Sequence, residues 1–310
     1  MLAVVFPGQG SQKVGMGRAL AARFAVARRT FEEADEALGF DLTRIGFEGP
    51  EEELRLTANA QPAILATSIA IWRALQQRCP IAPGAVAGHS LGEYTALVCA
   101  GALTFADALR LVHLRGRLMQ QAVPAGTGGM AALIGLEERA VVQLCADAAG
   151  DEVLEPANFN GAGQVVIAGD LPAVQRALSL ARKRGARGVP LRVSAPFHCS
   201  LMQPAAEGLA AALETVPIRR PEIPVVSNVD AEPNQEPGRV ARLLVRQMTA
   251  PVRWEASVRR LVAMGCEQVV EVGPGKVLSG LIRRTAAGLS LQQVEDPDHV
   301  ESFGPGGGQR

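Results

Sequence analysis

The chain has 310 residues, 48% of them hydrophobic and 20% charged, and its 31 basic and 31 acidic side chains leave no net charge. That length can bury a large core, as one sizeable domain or two unequal ones. The balanced charge gives no global field for nucleic acid or an anionic membrane, so neither is expected as a partner. Five scattered cysteines (Cys79, Cys99, Cys145, Cys199, Cys266) form no C-x-x-C pair. They read as reduced thiols of a cytosol-like compartment, with no metal site. The opening apolar run stops at Pro7, too short for a signal-peptide core, and no run approaches a membrane span. A soluble, cytoplasmic protein is expected.

Residues 2–6 (Leu-Ala-Val-Val-Phe) read as a buried strand, followed by the turn Pro7-Gly8-Gln9-Gly10-Ser11-Gln12. Lys13 stands where the third glycine of a dinucleotide fingerprint belongs, so that pattern fails. Two readings of the turn stay open: a purely structural one, or a site where amides beside a flexible backbone donate hydrogen bonds. Residues 16–39 and 51–79 carry helical periodicity, the second around Gln61-Pro62. Ala85-Val86-Ala87 then leads into Gly88-His89-Ser90-Leu91-Gly92-Glu93-Tyr94, and a helical run with Leu91, Tyr94, Leu97 and Val98 on one face leads out. This is strand, tight glycine turn and helix, the setting in which G-x-S-x-G forms a nucleophile elbow. Thr104 with Asp107 resembles a capping box for a helix reaching Gln121, striped by Leu111, Leu114 and Leu118. On spacing alone Arg115, beside that stripe, reads as an arginine snorkelling from a half-buried helix.

From residue 126 the pattern changes. Strands are predicted at 129–135, 153–159, 164–168 and 187–193, and helices at 137–149 and 171–185. The order β-α-β-β-α-β is that of a ferredoxin-like unit, inserted into the larger domain. Arg182-Lys183-Arg184 closes its second helix, where cations complement the dipole. The chain returns through Ser194-Ala195-Pro196-Phe197-His198-Cys199 to a helix near 200–214, a strand near 223–228 and helices near 238–248 and 251–264. A strand at 269–272, the turn Gly273-Pro274-Gly275 and a helix over 276–286 follow. Gly275-Lys276 fails as a phosphate loop, because Val270 and Val277 replace its first glycine and its Ser/Thr. The tail from 297 reads as disordered.

A serine nucleophile needs a base, and the chain has four histidines. His89 lies inside the elbow, His113 in the helix beside Arg115, and His299 in the tail. His198, in the loop after Pro196-Phe197, remains as the candidate by elimination. An ordinary esterase would also want an acid between Ser90 and His198 in chain order. Asp151 and Asp170 are available there, although both sit at turns of the inserted unit. A non-catalytic carrier-binding scaffold is a further alternative, against which an intact Ser90 and His198 count.

Five motifs occur in order: Phe6-Pro7-Gly8-Gln9-Gly10-Ser11-Gln12, Gly88-His89-Ser90-Leu91-Gly92-Glu93, Arg115-Gly116, Pro196-Phe197-His198 and Glu271-Val272-Gly273-Pro274-Gly275. Over residues 2–286 the chain thereby resembles the malonyl-CoA:acyl carrier protein transacylase family. The resemblance implies an α/β fold with an α/β-hydrolase-like core, residues 1–125 and 196–296, carrying a ferredoxin-like subdomain at 126–195; residues 297–310 are left as tail. It implies a ping-pong transfer of malonyl from coenzyme A to an acyl carrier protein, with no cofactor. Ser90 would attack the thioester with His198 as base, and the N–H groups of Gln9 and Leu91 would hold the oxyanion. Arg115 would bind the malonyl carboxylate, Gln247 would orient His198 through its main-chain carbonyl, and Gln61 would line the cleft. Asn158 and Asn160 would make contacts at the subdomain junction. Phe197 and Leu91 resemble malonyl-preferring members. An acidic carrier would meet Arg182, Lys183, Arg184 or Arg187.

Overall fold

An unbroken apolar run with no polar face marks a strand covered on both sides. In the computed structural model, which describes residues 1–124, 126–193 and 195–304, Leu2–Phe6 is such a strand, β1. Its side chains alternate between two cores: Val4 and Phe6 join one, Ala3 and Val5 the other. Helices α1 (Arg18–Arg23), α2 (Ala25–Leu38), α3 (Leu42–Glu48), α4 (Glu51–Arg55) and α5 (Thr57–Arg78) bury their apolar faces in the first core. Strand β2 (Ala85–Gly88) then pairs in parallel with β1 and turns into α6 (Gly92–Cys99) and α7 (Phe105–Gln121). Thr104 caps α7 as predicted, its Oγ1 accepting the Asp107 N–H at 3.1 Å.

Strand β3 (Gly128–Ile134), α8 (Glu138–Ala149), β4 (Leu154–Gly161), β5 (Gln164–Asp170), α9 (Leu171–Lys183) and β6 (Arg187–Pro190) follow. They build an antiparallel sheet in the order β4-β5-β3-β6, the expected ferredoxin-like arrangement. Ala131 and Leu133 face α8 and α9 in a core of their own, whereas Met130 and Ala132 join the first core. The same alternation that folds the unit thus cements it to the rest. Strand β4 is also stitched to the segment at Val252: the Phe159 N–H donates to the Val252 carbonyl at 2.8 Å, and the Val252 N–H to that of Ala157 at 2.9 Å.

The remaining elements are α10 (Gln203–Leu213), β7 (Val225–Val226), β8 (Pro233–Asn234), α11 (Pro237–Thr249), α12 (Trp254–Ala263), β9 (Gln268–Val272), α13 (Val277–Thr285), β10 (Ser290–Val294) and α14 (Pro297–Ser302). The larger sheet runs β10-β9-β1-β2-β7-β8, parallel except at β8. Its carboxyl edge, where open α/β sheets carry their ligands, gathers the turns after β1, β2, β7 and β9. The strand expected near 223–228 shortens to two residues. Residues 297–302, expected as disordered tail, form α14 instead. Asp296 Oδ1 caps it through the His299 N–H at 2.9 Å, Val300 is buried, and Arg23 pairs with Asp298 and Glu301 at 3.2 and 2.6 Å. Residues 305–310 of that tail, and the junction residues 125 and 194, lie outside the described residues. Among the described residues no helix is long and apolar enough to cross a membrane.

Strand β9 also delivers Glu271, a buried carboxylate that accepts the N–H groups of Leu278 at 3.1 Å and Ser279 at 2.7 Å and so caps α13. Burial pushes its carboxyl pKa up, against the pull of these bonds. Replacing Glu271 by Ala removes both bonds and is expected to cost about 1–2 kcal/mol. In thermal unfolding this should read as a Tm lower by about 2–4 °C. An unchanged Tm would remove the capping role.

Candidate active site

The elbow exists because three glycines let backbones cross where side chains cannot. A Cβ on Gly92 would collide with the Phe6 carbonyl, one on Gly88 with the Gly92 carbonyl group, and one on Gly8 with the His89 carbonyl. Ser90 occupies the tip with φ at +51°, a left-handed conformation that a non-glycine residue keeps only where its surroundings hold it. Its Oγ is 2.7 Å from His198 Nε2.

His198 also has positive φ, +62°, and is buried. Its Nδ1 lies 2.7 Å from the main-chain carbonyl of Gln247, which can only accept, so Nδ1 carries the proton. Nε2 is therefore free to take the Ser90 hydroxyl proton. Burial, helped by the charge of Arg115, pulls the imidazole pKa down to about 3, against the bond to Gln247. The base is neutral at any pH well above that. The neighbouring Cys199 is no competitor as nucleophile: its Sγ donates to the Pro196 carbonyl at 3.0 Å, and burial pushes the thiol up to about 12.

Arg115 does not snorkel. It is 1% exposed, and the helix turns it inward because its guanidinium finds oxygen partners there. Nη1 donates to Gln61 Oε1 at 2.8 Å; Nη2 donates to Gln247 Oε1 at 2.8 Å and to Ser90 Oγ at 3.1 Å. The guanidinium carbon lies 5.5 Å from the centroid of the Tyr94 ring, within reach of a cation–π contact.

Ser90, His198, Arg115 and Gln61 line a cleft of about 450 Å³ together with Gln9, Asn158 and Phe197. Met130 and Leu191–Val193 close it from the small-sheet side. The structure thus brings together Ser90, His198, Arg115, Gln61 and Gln247 by direct contact, and Gln9, Asn158 and Phe197 by shared lining. Asn160 is off the lining and bonds His89 instead, Oδ1 to Nε2 at 2.9 Å. Leu91 is buried at the start of α6. Among the described residues neither its N–H nor that of Gln9 meets an acceptor. Arg182, Lys183, Arg184 and Arg187 are exposed, away from the cleft, and Arg184 pairs with Asp147 at 2.5 Å. A larger hollow of about 670 Å³ lies between residues 135–138, the 161–164 turn and helices α12 and α13, and holds none of the elbow.

Sequence reasoning missed Asn228 and gave Glu93 no role, although both touch the machinery. Asn228 Oδ1 accepts the Ser90 N–H at 2.6 Å, and Glu93 Oε2 accepts from Gln247 Nε2 at 2.8 Å. The available signal for Glu93 was a carboxylate inside a largely apolar, mostly buried helix. For Asn228 it was its place just past a buried parallel strand.

A nucleophile elbow with a histidine base beside a buried arginine, on a parallel sheet with a ferredoxin-like insert, defines an acyl-transferring class. A family model described as acyl transferase domain matches residues 3–302. The malonyl CoA-acyl carrier protein transacylase of Salmonella typhimurium is 49% identical over 296 residues, covering 95% of this chain and 96% of that protein. The 1.7 Å crystal structure of an acyl carrier protein S-malonyltransferase from Vibrio cholerae superposes with a TM-score of 0.94 at 51% identity, covering 97% of this chain and 99% of that one. A malonyl-transacylase solved in complex with its type II PKS acyl-carrier protein does so with a TM-score of 0.94 at 49% identity, covering 96% and 97%. The chain belongs to the acyl transferase domain family and, within it, to the malonyl CoA-acyl carrier protein transacylases.

The site geometry makes a spectroscopic forecast. In nitrogen NMR, His198 should stay a single neutral tautomer protonated at Nδ1 from pH 8 down to pH 5, since its folded pKa lies below that window. A titration midpoint above pH 5 would contradict the burial argument.

Proposed function

We propose that this protein carries malonyl groups from coenzyme A to the thiol of an acyl carrier protein through an ester on Ser90. Ser90 Oγ attacks the thioester carbonyl carbon while its proton passes to His198 Nε2. The resulting oxyanion is received by the N–H groups of Gln9 and Leu91. Collapse breaks the C–S bond, and the departing thiolate takes the proton from His198. The carrier thiol then repeats the sequence in reverse order, its own proton moving through the same nitrogen. The covalent stage splits the transfer between two thiols into two equivalent halves that one nucleophile serves in turn.

The observation that carries the reading is Arg115 Nη2 at 3.1 Å from the nucleophilic oxygen. A fixed guanidinium beside Oγ suits an acyl group that itself ends in a carboxylate, which arginine grips in bidentate fashion and lysine does not. An esterase is less well supported: the acceptor behind His198 is a main-chain carbonyl, and neither Asp151 nor Asp170 bonds the ring. The cleft lies between the portion formed by residues 1–125 and 196–296 and the inserted portion at 126–195, which supports treating these as two subdomains. The exposed cations at the end of α9 and the start of β6 offer a docking face for an acidic carrier. Five free thiols and the use of coenzyme A support a cytoplasmic setting.

Intact-mass measurement after brief mixing with malonyl-CoA should show a malonyl adduct that a carrier protein discharges, and none on Ser90→Ala. Free malonate without an adduct would favour hydrolysis instead. A charged hydrogen bond is worth about 1.5–3 kcal/mol, so Arg115→Ala should lower malonyl transfer roughly ten- to a hundred-fold. It should spare or improve acetyl transfer; equal loss on both acyl groups would strip Arg115 of its assigned role.

A further inference from the structure

The catalytic serine is held in an unfavourable backbone conformation, and two side chains that never face the cleft hold it there. Asn228 follows β7 and is wholly buried. Its Oδ1 accepts the Ser90 N–H at 2.6 Å, and its Nδ2 donates to the Gly88 carbonyl at 2.6 Å. One amide therefore grips the peptide groups on both sides of His89. The orientation of that amide is fixed in turn: the Asn228 N–H donates to Glu93 Oε2 at 3.1 Å, and its carbonyl accepts the Arg253 N–H at 2.9 Å. The same Glu93 oxygen receives Gln247 Nε2 at 2.8 Å, and that nitrogen also reaches the Ser90 carbonyl at 3.0 Å. The Ser90 N–H is thus satisfied by a side chain from the turn after β7, and its carbonyl accepts from the Gln247 side chain of α11 as well as from the Glu93 N–H of the helix that follows, at 3.1 Å.

We propose that Asn228 and Glu93 are positioning residues. They clamp the elbow and the Gln247 amide so that Ser90 Oγ, His198 and Arg115 keep their mutual distances without touching substrate. The inference rests on the covalent chemistry assigned to Ser90 above. Hydrogen-bonding demand alone does not account for the pattern. A buried asparagine can be satisfied by any nearby peptide, whereas this one bonds both peptides that flank His89 in the strained elbow, and its supporting carboxylate also orders Gln247.

Glu93 faces Arg115 from α7, Asp230 from the turn beyond β7, and Tyr94 on its own helix. Burial pushes its carboxyl up to about 7, opposed by the bonds from Asn228 and Gln247 and by the charge of Arg115. As pH falls through that value the carboxylate is lost and its hold on both donors weakens. Ser90 acylation should then slow on the acid side, although His198 stays neutral far below.

The test is rapid-quench mass spectrometry of Ser90 acylation by malonyl-CoA from pH 5.5 to 8.5, on the native chain, Asn228→Ala and Glu93→Gln, with circular dichroism as the check of folding. In Asn228→Ala the acylation rate constant should fall about 10- to 100-fold, as misplacement of a reacting group does, with half-saturation within about two-fold of native. Glu93→Gln should lose the acid limb near pH 7. A folded Asn228→Ala that acylates at the native rate, or that raises half-saturation alone, would overturn the proposal. So would an acid limb that persists in Glu93→Gln, the deciding result if Asn228→Ala does not fold. A native chain that is never acylated removes the Ser90 chemistry itself, an outcome distinct from variants that match a reactive native chain.

Discussion

A guanidinium taken almost wholly out of water and met by amide oxygens instead of a carboxylate is the interaction on which the site depends. Burying such a charge costs several kcal/mol, and the hydrogen bonds it donates to Gln61, Gln247 and the serine hydroxyl offset part of that without cancelling the charge. The residual positive potential does two things at once. It adds to burial in keeping His198 unprotonated, and it leaves the cleft short of one negative charge beside the nucleophile. On the proposed chemistry the acyl group supplies that charge, so the substrate completes an electrostatic arrangement that the fold leaves open.

The second constraint is steric. Glycines at 8, 88 and 92 let the end of β1, the elbow and the first turn of α6 interpenetrate, which seats Ser90 at a positive φ and aims Oγ at the cleft. His198 is held in the same backbone region, so both partners of the 2.7 Å contact depend on surroundings that over-determine them. Such conformations are paid for elsewhere, here by side chains bonded to the elbow backbone and by two cores on the faces of β1.

Much of this was legible in the sequence because it is written in local patterns. The elbow is a contiguous motif between a strand and a helix, and the small sheet follows from alternation and the order of its elements. The α7 cap follows from Thr104 and Asp107 three residues apart. What stayed hidden is what the tertiary fold assembles. Arg115 looked like a surface arginine because helical spacing says nothing of the oxygens brought from α5 and α11. Asn228 and Glu93 form a contact across 135 positions of chain, with no spacing to betray it. Strand β10, Ser-Leu-Gln-Gln-Val, escaped notice because it is an edge strand whose side chains are mostly half-buried, so its composition is that of a loop. Helix α14 was masked by the glycine-rich end that follows it.

The stitching of β4 bears on how two bulky thiol carriers can share one serine. Main-chain bonds at Val252, the Asn160 contact to His89 and the apolar side chains that β3 sends into the first core tie the small sheet to the large one beside the nucleophile. Jaws joined this closely leave little play in the gap between them. Turn-taking between donor and acceptor is then a matter of traffic: both arms have to reach the same Oγ, and whichever one holds it keeps the other waiting outside.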